Sequence, residues 1–498
     1  MIKILSTNQI REWDAYTIQH RPIASIDLME NACRAVLTWV IEHYDQTHSV
    51  GVVCGTGNNG GDGLGVSRML HEAGYKVKVW IIKGGAPESA DFKTNLERLT
   101  GKVEITYVTD HLPPQTFSGV DILIDAIFGS GLSRPVEEIY ANVIQSINEL
   151  TVEKIAIDIP SGLMADKPSS GPIVKAKYTL SFQVPKLAFL FPQGHEFVGT
   201  WILLDIGLHK DFLKEKEAPY FYFTRKDVRK ILKLRSKFDH KGKFGHALLV
   251  AGGYGKMGAV VLAARAALRS GPGLLTVHVP ASGYAIIQNA APEAMASIDR
   301  HQEYLSVCPV LSNYTIIGIG PGLGQSPETV KAFGEILKQC KVPMVIDADA
   351  LNMLAANREL LPLVPPESIL TPHPKEFERL VGGWKNEFER LEKQQRLAKD
   401  LQSIIVLKGA NTSIAAPDGK VVFNSSGNPG MAKGGYGDVL TGILTGLLAQ
   451  HYSSFHAAQL GVFLHGFAGD LAAYEKGVNS LIASDVIESL PEAFKKAG

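Results

Sequence analysis

Short apolar runs that end in glycine, aspartate or proline recur along the chain and constrain its fold more than any other feature. In the first half they are VGVVCG (50–55), VKVWII (77–82), VDILIDAIFG (120–129) and KIAIDIPSG (154–162). Amphipathic helical patterns such as GLGVSRMLHEAG (63–74) lie between them. Continuous apolar strands that alternate with helices are typical of parallel sheets covered on both faces. The first half therefore predicts a doubly wound α/β domain, which binds ligands beyond the carboxyl ends of its strands.

The same alternation begins again after a charged, irregular stretch at 209–243. The later runs are HALLVAGG (246–253), LLTVHVP (274–280), YTIIGIGPGLG (314–324), MVIDADAL (344–351), SILTPHP (368–374) and SIIVLKG (403–409). A chain of 498 residues is long enough for two or three domains. We predict two α/β domains, residues 1–215 and residues 225–498.

Charge and cysteine usage exclude several classes of function. Fifty basic and fifty acidic residues cancel, and no basic stripe indicates nucleic-acid binding. The four cysteines are widely scattered and form neither a disulfide framework nor a zinc pattern. No apolar stretch approaches the ~20 residues that span a bilayer, and Arg11, Glu12 and Asp14 interrupt the first segment, unlike a signal peptide. We expect a cytoplasmic protein that binds neither nucleic acid nor membrane.

Three polar loops follow strands of the first half and are expected to meet at one edge of the sheet. GNNGGDG (57–63) follows a strand and opens a helix, where glycines admit a close ligand and free N–H groups bind phosphate. GSGLSRP (129–135) and DIPSG (158–162) end two further strands. A tight turn capped by Asp62 is the plain structural alternative for the first loop. Convergence of the three loops favours a binding cleft.

In this order, GNNGGDGLGVSRML, DAIFGSGLSRPV, AIDIPSGL, FQVPKLAFLFPQG and DIGL closely resemble the NAD(P)H-hydrate epimerase domain over almost all of residues 1–210. The resemblance implies a Rossmann-like fold and interconversion of the R and S hydrates of NADH and NADPH. It also implies the residues that bind the hydrate, which are Asn58, Asn59, Gly60, Gly61, Asp62, Gly129, Ser130, Gly131, Leu132, Ser133, Arg134, Pro135 and Asp158.

The same resemblance implies a cation site and a catalytic group. Asn59, Asp125 and Ser161 match the potassium ligands of the family, and hard oxygen donors suit such a cation. Asp158 matches the residue that faces the nicotinamide end, and we expect it to move protons during epimerisation at C6 of the hydrate. Without the resemblance, Asp125 and Asp158 are interpreted as strand-end carboxylates that neighbouring N–H groups satisfy.

In the second half, GNPGMAKGGYGDVLTG (427–442) places one carboxylate, Asp438, where a glycine-rich loop meets a helix. A helix N-terminus stabilises anions, so Asp438 is consistent with an ordinary cap. It is also consistent with a base beside a phosphoryl group that the same N–H groups hold. The chain contains no GxxxxGK[ST], which excludes a Walker-type site. The stretch resembles the glycine–aspartate anion hole of ribokinase-like kinases.

The surrounding motifs extend this resemblance. HKGKFGHALLVAGG, GIGPGLG, DADAL, LTPHPKEF, LKGANT and GNPGMAKGGYGDVLTG, in this order, resemble the ADP- or ATP-dependent NAD(P)H-hydrate dehydratases over roughly 225–498. The whole chain is similar to the bifunctional NAD(P)H-hydrate repair enzymes of bacteria, whose dehydratase uses ADP. This implies two three-layer α/β/α domains, the first Rossmann-like and the second ribokinase-like.

The resemblance also implies the chemistry of the second site. Asp438 would accept the proton of the C6 hydroxyl as ADP, with ATP as the alternative donor, transfers its terminal phosphoryl group. Expulsion of phosphate would then restore NADH or NADPH and leave AMP, and Mg²⁺ is expected to neutralise the transferred charge. The hydrate would contact Ala259, Gly322, His373 and Asp438. The nucleotide would contact Lys408, Gly409, Ala410, Asn411, Thr412 and Gly437.

Several of these positions keep a structural alternative. His373 between two prolines is also typical of a core histidine, and Lys408 of a solvated lysine at a strand end. Asp347 and Asp349 fit metal-proximal groups and helix caps equally well, so neither is assigned to catalysis.

Four residues depart from the family pattern. Tyr436 stands in GGYGDVL where the family has GGTGDVL, and Lys375 stands in TPHPKE where it has TPHPGE. Tyr436 is expected inside the glycine nest, where it would crowd the nucleotide or shift the choice between ADP and ATP. Cys33 and Met164 replace a usual glycine and aspartate, and we expect packing differences there rather than lost function.

Two other functions stay open from the sequence. A ribokinase-like small-molecule kinase fused to a nucleotide-binding domain would accumulate a stable phosphoester, whereas a dehydratase releases phosphate. A sensing or scaffold role for the first domain would bind the hydrate without exchanging its R and S forms. The expected partners are the hydrates NADHX and NADPHX, ADP and a second copy of the chain in a homo-oligomer.

Overall fold

The computed structural model describes residues 1–85, 87–110 and 113–498. The chain divides into two compact units, Lys3–Ala218 and Pro219–Gly498, the second of which also includes Met1–Ile2. Both are α/β units with mainly parallel sheets, as the alternating pattern predicts.

Residues 1–218 contain both strands and helices in alternation. The strands are β1 (Ile2–Ile4), β2 (Ser49–Cys54), β3 (Lys76–Ile82), β4 (Glu104–Val108), β5 (Ile122–Ala126), β6 (Glu153–Ile157), β7 (Tyr178–Phe182) and β8 (Thr200–Leu204). The α-helices are α1 (Thr7–His20), α2 (Ser25–His43), α3 (Asn58–Glu72), α4 (Ala90–Leu99), α5 (Glu138–Glu149), α6 (Pro192–Val198) and α7 (Lys210–Glu215). Short 3₁₀ helices lie at Pro114–Phe117 and Leu187–Leu190.

The N-terminal sheet has the order β4-β3-β2-β5-β6-β7-β8, and every neighbouring pair is parallel. Successive residues of β2 face opposite sides, so Val52 packs with helix α3 and Val53 packs with helix α5. The order of strands reverses between β2 and β5, which is the point where doubly wound sheets open a ligand crevice.

The C-terminal unit continues the alternation with longer helices at its end. Its strands are β9 (Tyr220–Phe223), β10 (His246–Val250), β11 (Leu274–Val279), β12 (Met295–Ile298), β13 (Ile316–Ile319), β14 (Met344–Ile346), β15 (Ile369–Leu370), β16 (Ile404–Leu407), β17 (Ser413–Ala415) and β18 (Val421–Asn424). Its α-helices are α8 (Arg225–Ile231), α9 (Met257–Ser270), α10 (Tyr284–Ala290), α11 (Pro327–Gln339), α12 (Ala348–Ala356), α13 (Pro374–Val381), α14 (Glu387–Asp400), α15 (Tyr436–Ala449), α16 (Ser454–Lys476) and α17 (Ala483–Ala497). Short 3₁₀ helices lie at Lys241–Phe244, Ala281–Gly283, Arg358–Leu363 and Pro429–Met431.

The strands of the C-terminal unit follow the order β9-β18-β17-β16-β15-β14-β13-β10-β11-β12. Strand β17 is antiparallel to both β16 and β18, whereas the other pairs are parallel. Helix α15 packs closely on α9, because a Cβ added at Gly442 would lie 2.1 Å from the carbonyl oxygen of Ala263. Within the described ranges, every helix is too short or too polar to cross a lipid bilayer.

Candidate active sites

A cavity of about 530 Å³ opens in the N-terminal unit where β2, β5 and β6 end. This volume is in the range that accommodates a ligand larger than a single ring. Ten of the predicted hydrate-binding residues line it, namely Asn58, Asn59, Asp62, Gly129, Ser130, Gly131, Leu132, Ser133, Arg134 and Asp158. Gly60, Gly61 and Pro135 do not line the cavity. A Cβ added at Gly60 would lie 1.9 Å from the carbonyl oxygen of Gly55, so this glycine lets helix α3 start against the strand.

Helix α3 begins at Asn58, which places most of the GNNGGDG motif inside the helix and not in a loop. Gly57 occupies the N-cap position and offers no side chain to the first N–H groups. Asp62 lies in the second turn, so the interpretation of Asp62 as a helix cap is wrong. The first turn of α3 therefore presents free N–H groups to the cavity, as an anion-binding helix start requires.

Asp158 follows β6 with a positive φ of 67°, and a buried lysine holds its carboxylate. Lys186 Nζ lies 2.5 Å from Asp158 Oδ1, and the backbone N–H of Ser130 donates to Oδ2 over 3.0 Å. Lys186 is fully buried and also donates to Ser181 Oγ. Burial alone would raise the pKa of Asp158, but Lys186 outweighs it and holds the pKa below its usual range. Sequence reasoning missed Lys186, although a single charge in the apolar run VPKLAFLF was a usable signal.

Two further carboxyl groups face the same cavity without a partner among the described residues. Asp14 of α1 and Asp62 of α3 line it, and neither side chain forms a hydrogen bond or ion pair there. Burial and then the charge of Asp158 raise the pKa of Asp14 to about 7. Burial raises the pKa of Asp62 well above its usual range. Sequence reasoning did not single out Asp14, because an aspartate on an amphipathic helix carries no motif.

Of the three predicted potassium ligands, Asp125 and Ser161 are buried and hydrogen-bonded to each other, and Asn59 lines this cavity. Ser161 donates its hydroxyl to Asp125 Oδ1 over 2.6 Å and its backbone N–H to Oδ2 over 2.8 Å. Asn59 Nδ2 is buried without a hydrogen-bond partner, and the Asn59 side chain abuts Gly129. Burial raises the pKa of Asp125 to about 6, and no described basic side chain pairs with it. Asp125 and Ser161 thus provide the oxygen ligands that a hard cation prefers, whereas the unpartnered Asn59 Nδ2 is a hydrogen-bond donor and not a cation ligand.

In the C-terminal unit, Asp438 lies in the first turn of α15 and faces no partner. Gly435 is the N-cap, in the left-handed conformation with φ of 92°, and no side chain caps the helix. Asp438 makes no hydrogen bond or ion pair with the part of the chain that the structure describes. It is therefore not an ordinary cap. Burial and the charge of Asp347 raise the pKa of Asp438 to about 6, against the opposing effect of Lys408.

Asp347 joins three parts of this site. Its Oδ1 accepts from Lys408 Nζ over 2.9 Å, and its Oδ2 accepts from Thr441 Oγ1 over 2.8 Å. A Cβ added at Gly437 would lie 3.4 Å from Lys408 Nζ and 3.5 Å from Asp347 Oδ2. Asp347 occupies the N-cap position of α12, but its side chain makes no cap hydrogen bond. It anchors Lys408 and the Asp438 helix, a positioning role that the sequence left open.

The predicted nucleotide segment, residues 408–412, forms the connection between β16 and β17. The hydroxyl of Thr412 accepts from the N–H of Gly409 and donates to its carbonyl oxygen, which closes the turn. Gly409 and Ala410 are exposed, Asn411 is half-buried, and open space surrounds Gly409. The turn thus leaves room for a ligand beside Lys408.

His373 caps helix α13 and is half-exposed, so its interpretation as a core histidine is wrong. Its Nδ1 accepts from the N–H groups of Lys375 and Glu376, over 3.1 and 3.3 Å. Burial and the nearby Lys408 lower the pKa of His373, which keeps the ring neutral with Nε2 as its donor. Lys375 is exposed at this helix start and adds a smaller lowering effect.

Ala259 and Gly322 adjoin each other across the loop that follows β13. A Cβ added at Gly322 would lie 3.3 Å from the Cβ of Ala259 and 3.0 Å from the carbonyl oxygen of Lys256. Asp349 accepts from the N–H of Gly324 over 2.8 Å, and its charge contributes to the raised pKa of Asp438. Ala259 and Gly322 thus adjoin each other, while His373 and Asp438 lie within the electrostatic reach of Lys408 and Asp347.

Two family models match the chain, YjeF-related protein N-terminus over residues 25–188 and NAD(P)H-hydrate dehydratase over residues 247–492. The bifunctional NAD(P)H-hydrate repair enzyme Nnr of Moorella thermoacetica is 36% identical, and the match covers 98% of this chain and 96% of that protein. The enzyme of the same name from Coxiella burnetii is 35% identical, with 98% and 99% covered.

The crystal structure of the ADP/ATP-dependent NAD(P)H-hydrate dehydratase from Bacillus subtilis, co-crystallised with ATP and Mg²⁺, is 34% identical to the matched part. It covers 56% of this chain and 99% of its own, with a TM-score of 0.50. The chain belongs to the bifunctional NAD(P)H-hydrate repair enzymes. It is thus an enzyme with an epimerase half and a dehydratase half, and the small-molecule kinase is not supported.

The expectation that the ring of Tyr436 occupies the glycine-rich nest before Asp438 is wrong. Tyr436 packs into the hydrophobic core and is 4% exposed, with its ring 6.4 Å from that of His465. Its hydroxyl is buried without a hydrogen-bond partner. The nest is therefore lined by backbone and not by the tyrosine ring.

The two positions of the epimerase half that sequence reasoning singled out form local contacts, and their expected lack of effect on function stays a prediction. Cys33 is buried and its thiol donates to the carbonyl oxygen of Asp62 over 3.4 Å. Met164 is buried, and its N–H donates to Ser169 Oγ over 2.7 Å.

One acidic residue that sequence reasoning missed holds the loop before Asp438. Asp470 of α16 accepts from the N–H of Gly427 and from Asn428 Nδ2, each over 2.9 Å. Asn428 Oδ1 in turn accepts from the N–H of Gly430. The usable signal was the polar GD pair in the otherwise apolar helix FHAAQLGVFLHGFAGDLAAY.

Proposed function

We propose that the N-terminal unit interconverts the R and S hydrates of NADH and NADPH in its cavity, and that the C-terminal unit dehydrates the S form with ADP. The products of the second step are NADH or NADPH, AMP and phosphate. The observation that carries the dehydratase assignment is the unpartnered Asp438 carboxyl at a helix start beside the Lys408–Asp347 pair.

Phosphoryl transfer at the second site needs a base and a positively charged cradle. Hydroxide is a poor leaving group, so the C6 hydroxyl is first phosphorylated. Asp438 takes the hydroxyl proton, and its raised pKa makes it a stronger base than an ordinary aspartate. Lys408 and the N–H groups from Gly434 to Gly437 stabilise the transferred group. The lone pair of the ring nitrogen then expels phosphate and restores the diene.

The nucleotide binds along residues 408–412 and beside Gly437 in this proposal. The exposed Gly409–Ala410 turn and the free space around it support this position. Ala259, Gly322 and His373 then hold the hydrate. We propose ADP as the physiological donor, with ATP also accepted, because the related dehydratase from Bacillus subtilis is described as ADP/ATP-dependent.

In the epimerase site, Asp158 performs acid–base work on the hydrate. Lys186 and the N–H of Ser130 keep its carboxylate ionised and aimed at the cavity. The first turn of α3 and the loop 129–134 bind the phosphates and ribose of the hydrate.

Two cations complete the proposal. K⁺ binds Asn59, Asp125 and Ser161, and neutralises the buried carboxylate. For Mg²⁺, the described residues provide no group of three histidine, cysteine or acidic side chains. This fits an ion that is held largely by the phosphates of the nucleotide, whose charge it reduces.

We further propose that the enzyme acts in the cytoplasm as a homo-oligomer. Strand β12 is an edge of its sheet and exposes Met295 and Ile298, apolar side chains that a second copy would cover. Sedimentation of the wild type and of Met295→Lys tests this, since a monomeric wild type contradicts it.

One experiment tests the function as a whole. Mixed R and S hydrates are incubated with ADP or ATP and Mg²⁺, and reduced nicotinamide is followed by absorbance. We expect full recovery from both epimers, with AMP and phosphate released in equal amounts when ADP is the donor. Accumulation of a stable phosphoester contradicts dehydration, and recovery limited to the S portion contradicts epimerisation.

A further inference from the structure

The epimerase cavity contains a carboxyl group that the proposed function leaves without a role. Asp14 lies on α1 and lines the same cavity as Asp158 and Ser130. Asp158 is held by Lys186 and by the N–H of Ser130, whereas Asp14 has no hydrogen-bond or ion-pair partner among the described residues. A largely buried carboxyl that faces a ligand cavity without a protein partner is available to a substrate.

The groups around Asp14 determine its protonation. The titratable side chains that line the cavity with it, or pair with a lining residue, are Arg11, Asp62, Asp91, Arg134, Tyr140, Asp158 and Lys186. Arg11 donates to the carbonyl oxygen of Gly131, and Asp91 accepts from Ser25 Oγ. Lys186 is committed to Asp158, and neither Arg11 nor Arg134 forms an ion pair with Asp14 among the described residues. With a pKa of about 7, Asp14 is accordingly about half protonated at neutral pH, while Asp158 is ionised.

The chemistry of the hydrate requires such a pair. C6 carries both the hydroxyl and the ring nitrogen, so it is a hemiaminal carbon. Its configuration inverts if the C6–N1 bond opens to an aldehyde and closes on the other face. Opening removes a proton from the hydroxyl and needs a proton on N1, which is otherwise a poor leaving group. A fixed base and a fixed acid therefore accelerate the exchange.

We infer that Asp14 is the general acid of the epimerase site and acts across the cavity from the base Asp158. This inference rests on the proposed epimerisation by the N-terminal unit. Two carboxyl groups with opposite protonation in one site are the arrangement that assigns an acid and a base.

The step balances without any co-reactant. Asp158 takes the hydroxyl proton, the C6–O bond becomes a carbonyl, the C6–N1 bond breaks, and Asp14 gives its proton to N1. Rotation about C5–C6 turns the other face of the aldehyde to N1. N1 then attacks C6, Asp14 regains its proton, and Asp158 returns a proton to the oxygen.

The test measures R-to-S exchange of purified hydrate by Asp14→Asn in the full-length enzyme. We expect kcat for exchange to fall about 10²- to 10⁴-fold, while the affinity for the hydrate and the dehydration of S hydrate stay at wild-type values. The wild-type rate should fall as pH rises through about 7, because the acid is lost there. Asp14→Asn should lose this falling limb, and Asp14→Glu should keep it.

Glu12→Gln is the matched control, since Glu12 is an exposed residue on the same helix that pairs with Lys216. It should exchange the hydrates at the wild-type rate. If Asp14→Asn exchanges normally, or keeps the falling limb, or merely loses hydrate affinity, the inference is overturned while the epimerase assignment stands. If Asp158→Asn also exchanges normally, the proposed site itself is wrong. If Asp14→Asn does not fold, the pH profile of Asp14→Glu decides, and a flat profile overturns the inference.

Discussion

Asp158 in the epimerase half and Asp438 in the dehydratase half are both largely buried, yet their surroundings are opposite. Asp158 is tied to the fully buried Lys186 and to a backbone N–H, and its pKa lies below the usual range. Asp438 has no partner among the described residues, and its pKa is raised to about 6. The nearest lysine, Lys408, is instead paired with Asp347.

This difference shows how the two halves apply the same residue type to different tasks. A paired carboxylate stays charged over a wide pH range and keeps one orientation. An unpaired, largely buried carboxyl group has a raised pKa and suits a group that must accept or donate a proton near neutral pH. Within the epimerase half, the counterpart of Asp438 in this respect is Asp14.

Asp438→Asn tests the proposed role of Asp438 most directly, because it keeps the size of the side chain and removes the base. Because the side chain makes no cap hydrogen bond, folding should be unaffected. We expect dehydration to fall about 10²- to 10⁴-fold, with R/S exchange at the wild-type rate. Recovery of reduced nicotinamide and chiral separation of the hydrates measure the two activities. Dehydration at a near-normal rate would remove Asp438 from the proposed role.

Lys186→Met should convert the paired carboxylate into an unpaired one. It leaves Asp158 buried without a counter-charge, so the free energy of unfolding should fall by about 3–5 kcal/mol, and R/S exchange should be lost. Denaturant unfolding measures the first effect. Lys175→Met is the control, because Lys175 forms an exposed ion pair with Glu196 and should cost at most about 1 kcal/mol. Equal stability of the two variants would contradict the buried pair.

The pH dependence of dehydration should report the raised pKa of Asp438. A base must be ionised to act, so activity should fall about tenfold per pH unit below about 6. Lys408 lowers this pKa, so Lys408→Met should shift the limb to higher pH in addition to weakening nucleotide binding. Lys420→Met, an exposed lysine paired with Asp418, should leave the limb in place. If dehydration by the wild type instead declines only near pH 4, Asp438 behaves as an ordinary aspartate and the prediction is wrong.

Asp470→Ala should destabilise the loop at Gly427 and Asn428, which precedes Asp438, while the Asp438 side chain itself is unchanged. It removes the acceptor of the Gly427 N–H and of the Asn428 side chain. Loss of such hydrogen bonds costs about 1–3 kcal/mol, and we expect the KM for ADP to rise about tenfold. Steady-state kinetics measure the change. Glu475→Ala, an exposed change on the same helix, should leave KM unchanged, and an equal effect of both variants would contradict the assigned contact.

Tyr436→Phe should have the smallest effect. The hydroxyl is buried without a partner, so its removal breaks no hydrogen bond and should leave stability unchanged or raise it by about 1 kcal/mol. The preference between ADP and ATP should not move. Tyr436→Thr is the contrasting variant, because it opens a cavity in the core and should be destabilising. A shift in nucleotide preference with Tyr436→Phe would place the tyrosine in the nest after all.

The parts of the fold that the sequence predicts are those with continuous apolar runs. VGVVCG and KIAIDIPSG cover all but the first residue of β2 and β6, because strands buried on both faces need apolar residues at nearly every position. Strands β12 and β17 are short and partly polar, MASI and SIA, and no periodicity distinguishes them from loops. Helix α3 starts earlier than its apolar pattern suggests, because four of its first eight residues are glycines of low helix propensity.

The residues of the candidate sites also differ in whether a local sequence pattern predicts them. The glycine-rich loops and Asp438 have local patterns, so the family resemblance finds them. The pairs Lys186–Asp158 and Thr441–Asp347 join residues 28 and 94 positions apart, and only the tertiary fold brings them together. Asp14 is defined by the absence of a partner, which no local pattern encodes.

The burial of Tyr436 has a consequence for how such enzymes diverge. The phosphoryl cradle that we propose next to it consists of main-chain N–H groups, which every residue except proline supplies alike. The Tyr436 side chain instead belongs to the hydrophobic core. A substitution at this position is therefore expected to change core packing first and the proposed chemistry only indirectly.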